Sequence, residues 1–163
     1  MPAYLAGAIT GNKGTTAGAE EFAKAIREDS PNEVTRIRHA LSLAAAGRRN
    51  EAVEALREAI RTTPECAPYH FQLGLLLASM NRYDEAELRF TQAVNIDRNH
   101  VDALVSLAMC RGARNAPAEA LVYLQRAQAR RPHDAKIALL LAQAAGAAQQ
   151  AGLSVRVRAG MTE

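Results

Sequence analysis

At 163 residues with 48% hydrophobic content, the chain can bury one sizeable core, but only 4% of it is aromatic. A formal charge of +3 is too small an excess to argue a nucleic-acid partner. The two cysteines, Cys66 and Cys110, lie far apart without a CxxC pair. That spacing excludes a disulfide framework and a cysteine metal cluster, and fits a reducing compartment.

Residues 1–18 carry Gly7, Gly11, Gly14 and Gly18 among threonines and alanines and read as a flexible leader. The opening MPAYLAGAIT has no positive leader and too few apolar residues for a secretory signal. No apolar run approaches the roughly 20 residues of a membrane helix, so the expected location is cytoplasmic. A first helix is expected over 19–30, where Phe22, Ala25 and Ile26 share one face and Ser30-Pro31 ends it.

Three helix–turn–helix units follow at 33–66, 67–100 and 101–134. Pro64 and Pro132 close the first and third, where proline cannot extend a helix. Inside the units, Gly47-Arg48-Arg49, Asn81-Arg82 and Asn115-Ala116-Pro117 read as turns, because Gly and Asn tolerate the left-handed residue that ends a helix. A capping helix is expected over 135–150, with Ala138, Leu141, Ala142 and Ala145 covering the third unit. The remainder, 151–163, alternates in Ser154-Val155-Arg156-Val157-Arg158 but has no strand to pair with, and reads as a flexible tail.

The units repeat at a fixed interval. Glu51-Ala52, Glu85-Ala86 and Glu119-Ala120 are 34 residues apart, as are Leu56, Phe90, Leu124 and again Ala59, Ala93, Ala127. Such a period marks a solenoid of helical hairpins, each burying its apolar face against its neighbours. The alanines let helix backbones approach, and the larger residues between them fill the space.

The units resemble the tetratricopeptide repeat. The middle one fits best, with Leu73-Gly74, Tyr83, Asp84, Glu85-Ala86, Phe90, Ala93 and Ile96-Asp97. Leu107-Ala108 and Pro132 carry the likeness in the third, Ala40, Leu43, Gly47 and Pro64 in the first. His39, Arg111, Arg98 and His70 depart from the pattern where it wants leucine, a large apolar residue, proline and tryptophan. The resemblance implies an all-α, right-handed superhelical solenoid with a C-terminal capping helix.

It also implies that the first helix of each unit lines a concave, peptide-gripping face. On this chain those positions give Ile37, Arg38 and Leu41, then Phe71, Gln72 and Leu75, then Val105, Ser106 and Met109, then Leu139 and Gln143. Members that clamp acidic chaperone tails use lysines, arginines and asparagines there. The positions here are mostly apolar, so the expected partner is an apolar or amphipathic protein segment, with polar neighbours fixing its register. The apolar leader segment Tyr4-Leu5-Ala6-Gly7-Ala8-Ile9 is an alternative occupant of the same face.

No catalytic constellation accompanies the repeat. The stretch from Gly7 to Thr15 lacks the spacing and the following helix of a phosphate-binding loop. His39, His70, His100 and His133 show no metal-ligand pairing. Cys110 reads as a core thiol and Cys66 as an exposed turn residue. Glu20-Glu21 and Asp84-Glu85 open helices, where carboxylates favour the dipole. Arg48, Arg49, Arg82 and Arg114 lie near the turns and read as a solvated rim, with nucleic acid disfavoured by the lack of stacking aromatics. The expectation is a non-enzymatic adaptor without cofactor or metal, from a bacterial source suggested by the excess of arginine over lysine. The alternatives are a type III secretion translocator chaperone-like protein, a homodimerising assembly module, or a regulatory partner of a separate enzyme.

Overall fold

A computed structural model describes residues 32–160, with side chains described for 32–152. The expected leader and the helix over 19–30 lie outside the described residues. The described residues form seven helices and no strand: α1 (Glu33–Ala45), α2 (Arg49–Thr62), α3 (Ala67–Ser79), α4 (Tyr83–Ile96), α5 (Val101–Ala113), α6 (Pro117–Arg130) and α7 (Ala135–Gly160). They fall into two compact units, Met1–Ile96 and Asp97–Glu163. The first contains the hairpins α1–α2 and α3–α4, the second the hairpin α5–α6 followed by α7.

The three hairpin turns are one motif written three times. Gly47, Asn81 and Asn115 have φ of 80°, 61° and 57°, the left-handed conformation that only Gly and Asn adopt at small cost. The following N–H reaches back five residues to close the helix end. Arg48 donates to Leu43 O at 2.9 Å, Arg82 to Leu77 O at 3.0 Å and Ala116 to Arg111 O at 2.9 Å. This is the six-to-one bond of a Schellman cap, and it turns the chain into the next helix.

Helix starts keep the same period. Asn32, His100 and Asp134 sit immediately before first helices, and each accepts an N–H from the first turn: Thr35 N at 2.9 Å, Ala103 N at 3.2 Å and Lys136 N at 2.9 Å. Cys66 holds the corresponding place before α3 but makes no capping bond. Its thiol donates instead to Glu33 Oε2 at 3.4 Å, and it is buried, contrary to the exposed turn thiol expected. Desolvation raises its pKa, so it is a poorly ionised thiol. Cys110, expected in the core, is only partly buried.

Within the first unit Ala52, Val53, Leu56 and Ala59 of α2 and Ala86, Phe90 and Ala93 of α4 are buried, and Ala52 clusters with Leu43 of α1. Gly74 shows why the pattern needs a glycine. A Cβ there would lie 2.6 Å from Phe90 Cε1, inside contact distance. In the second unit Ala108, Ala120 and Leu124 form a cluster against which Tyr123, Leu140, Leu141 and Ala144 pack.

The last helix differs from expectation twice. It runs from Ala135 to Gly160 instead of stopping near 150, so 151–160 is helical and not the flexible tail. Its packed side is Ile137, Leu140, Leu141 and Ala144, whereas Ala138, Ala142 and Ala145, expected to cover the third unit, are exposed. The reason for the first difference lies at residue 149. The 34-residue interval that places Gly47, Asn81 and Asn115 places Gln149 next, which has no ease in the left-handed conformation, so the helix continues.

Candidate functional site

The candidate residues occupy two positions one turn apart, 37/71/105/139 and 41/75/109/143, with a polar neighbour at 38, 72 and 106. The i, i+4 spacing puts each pair on one face of its first helix.

In the first unit this face is apolar and partly open. Ile37 and Leu41 on α1 and Phe71 and Leu75 on α3 are all partly buried, and Arg38 is exposed. Phe71 does double duty: its ring centroid is 5.9 Å from that of buried Phe90, at 47° between planes, so it also anchors the α3–α4 hairpin. Gln72, expected to offer hydrogen bonds outward, is buried, and its Oε1 accepts none among the described residues. In this conformation its amide oxygen is not presented to a ligand.

In the second unit Met109 is 54% and Leu139 59% exposed, and Gln143 is exposed. Val105 is buried and acts as core. Ser106 donates its hydroxyl to the backbone oxygen of Asp102 at 2.8 Å, which leaves it an acceptor only. The candidate positions that stay open in part or fully are therefore Ile37, Leu41, Phe71 and Leu75 in the first unit and Met109 and Leu139 in the second, with Arg38 and Gln143 as exposed polar groups.

The turns carry the strongest local electrostatics. Arg48 grips Glu51 through Nε at 2.7 Å and a second nitrogen at 2.6 Å, and Arg82 grips Glu85 at 2.6 and 2.8 Å. The hydrogen bond from the arginine holds each carboxyl below its ordinary value. The third turn has Ala116 at that place, and Glu119 pairs with Arg111 from the preceding helix at 3.3 Å. These arginines are thus engaged with acids of their own hairpins. His70, at the family's tryptophan position, is buried with Nε2 2.8 Å from Pro64 O. Among the described residues no group of three His, Cys, Asp or Glu side chains is placed to hold a metal, and no helix is long and apolar enough to cross a membrane.

The sequence reading missed two features. Leu88 and Val122, 34 apart on second helices, are 54% and 55% exposed. Their shared period was the available signal. The exposed alanines of α7 were assigned to the wrong side of that helix.

Comparison with known proteins agrees with the fold of repeated helical hairpins. A family model described as tetratricopeptide repeat matches residues 37–100 and again 71–135. The chain belongs to the tetratricopeptide repeat family. No curated protein matches it. Among solved structures, the MamA protein has a TM-score of 0.71 at 15% identity, covering 87% of this chain and 78% of that one. The first TPR of Spaghetti (RPAP3), bound to HSP90 peptide SRMEEVD, has a TM-score of 0.67 at 16% identity over 74% of this chain and 96% of that one. YrrB, described as a TPR protein with an unusual peptide-binding site, has a TM-score of 0.62 at 24% identity over 77% of this chain and 64% of that one. At such identities the likeness is one of fold. With the repeat family as its frame, the chain is an interaction scaffold built from helical hairpins.

Proposed function

We infer that this tetratricopeptide repeat protein is a non-enzymatic adaptor that holds an apolar or amphipathic peptide segment against the faces of its first helices. The observation that carries this reading is the in-phase apolar series Ile37, Phe71 and Leu139 with Leu41, Leu75 and Met109, none of which is buried out of reach. Each loses further exposure under a ligand, worth about 1 kcal/mol apiece. After the cost of association that supports micromolar capture, not permanent assembly. Two of the similar structures are described by the peptide they bind or by a peptide-binding site, which fits the same use of the fold. The acidic HSP90 peptide is not carried over, because the face here offers one exposed arginine where a carboxylate clamp needs several basic groups.

The test is fluorescence anisotropy with 15-residue peptides of amphipathic, apolar and acidic composition. Amphipathic peptides should bind in the micromolar range and acidic ones no better than background. Leu75→Glu and Met109→Glu should each weaken binding more than tenfold with the circular dichroism spectrum unchanged. Phe71 is the wrong choice for this test, since its contact with Phe90 makes any loss ambiguous. Binding that survives both charged variants overturns the reading.

A further inference from the structure

Within the first unit α2 packs on α1 and also on α3, so a second helix serves two first helices, its own and the next. The side of α3 that meets the preceding hairpin is marked by Leu76, which packs against Leu43 and Ala52. Leu73 and Tyr69, three and seven residues earlier on that side, are 0% and 3% exposed. The same places on α1 are Ser42, His39 and Thr35, all only partly buried. Among the described residues no helix precedes α1 to pack on this side. At 100° per residue it lies roughly opposite Ile37 and Leu41 of the candidate ligand face.

The sequence upstream supplies an occupant in register. One 34-residue interval before α2 lie residues 15–28, where Gly18, Phe22 and Ala25 take the small–large–small places of Ala52, Leu56 and Ala59. Ala19 and Ile26 take those of Val53 and Ile60. Four residues, 29–32, then lead into α1, as Thr63-Pro64-Glu65-Cys66 lead from α2 into α3. Asn32 ends that joint as the cap of α1. Four residues span at most about 14 Å, so the joint keeps the segment beside α1. Charge agrees: residues 19–29 hold four acids against two bases, a net −2. Helix α1 carries Arg36 and Arg38 against Glu33, a net +1.

We propose that residues 15–28 are the second helix of an incomplete leading repeat, docked on the Thr35–His39–Ser42 side of α1 as α2 is docked on α3. The segment runs antiparallel to α1, with Ile26 near Thr35, Phe22 over His39 and Ala19 near Ser42. Its tether gives it a high effective concentration there, so a modest contact suffices. Thr35, His39 and Ser42 are smaller or more polar than Tyr69, Leu73 and Leu76, so this docking is weaker than that of α2 on α3 and opens before the rest of the unit unfolds. The candidate ligand face stays open, and the segment closes the start of the array without competing for a peptide.

The proposal does not rest on the peptide reading. Hydrogen exchange of the full chain tests it. Amides 18–28 should exchange about 10–100-fold more slowly than in an unstructured peptide, yet faster than those of α3. Phe22→Asp should remove that protection and leave peptide capture intact. Ser42→Glu, which sets a negative charge against the acidic segment, should reduce it more than fivefold. Leu41→Glu, one position round on the candidate ligand face, should leave it unchanged. Protection of α3 to α6 should be the same in all three variants. Unprotected exchange across 18–28 overturns the proposal, as does protection that Ser42→Glu leaves intact. Protection lost only in Leu41→Glu assigns the segment to the ligand face, and protection lost on dilution from about 100 to 5 µM assigns the contact to a second copy. Either result overturns it as well.

Discussion

Gly74 is where a single atom decides the packing of a hairpin. Replacing glycine by alanine inside a helix ordinarily stabilises by about 1 kcal/mol. Here the added Cβ would meet the Phe90 ring at 2.6 Å, and that ring is 2% exposed and in contact with the Phe71 ring. Overpacking of this kind costs about 1–3 kcal/mol and outweighs the propensity gain. Gly74→Ala should therefore destabilise by about 1–2 kcal/mol in urea unfolding. Gly74→Ala combined with Phe90→Leu should recover part of the loss, because the smaller side chain vacates the contact. Cys66 teaches the complementary lesson at this scale. A cysteine between a proline and a helix reads as a turn thiol, but its position is a cap position inside a packed joint, and burial follows from the joint and not from the residue type.

At the scale of elements, the hairpin turns were legible because their chemistry is restrictive: few residues tolerate φ near +60°, and Gly47, Asn81 and Asn115 are among them. The end of the array was not legible for the opposite reason. A helix that continues is signalled only by the absence of a stop, and Gln149 is an unremarkable residue until placed in the 34-residue register. Of the α7 side expected to pack, Leu141 does so with Ile137, Leu140 and Ala144, whereas Ala138, Ala142 and Ala145 each lie one position, about 100°, round from a packed residue and are exposed. The turns also carry a pH dependence. Arg48 and Arg82 hold Glu51 and Glu85 below the ordinary carboxyl value of 4.5, so the folded chain binds these protons less tightly than the unfolded one. Their stabilisation is complete above that value and fades as pH falls through the lower folded values. Melting temperature should decline from pH 5 to pH 3. The decline should be shallower in Arg48→Ala/Arg82→Ala and in 1 M salt, since both pairs are exposed and screened.

Across the whole molecule, one interval of 34 residues sets caps, turns, core alanines and the candidate ligand face together. That coherence is why the architecture could be read from periodicity, while the candidate face could only be read in part. Periodicity states which residues share a side of a helix, but it does not state how deeply each is covered: Val105 and Gln72 occupy face positions and are buried, while Met109 and Leu139 are open. The interval also governs which length changes the gene can absorb. One residue lost inside a helix rotates all that follows by about 100° and turns cores outward. The joints between repeats, Pro64-Glu65, Arg98-Asn99 and Pro132-His133, are exposed and belong to no helix. In an insertion scan, three-residue additions at these joints should express and melt close to the parent. The same additions in α2, α4 or α6 should abolish soluble expression, which makes the reading frame of this protein mechanical as well as genetic.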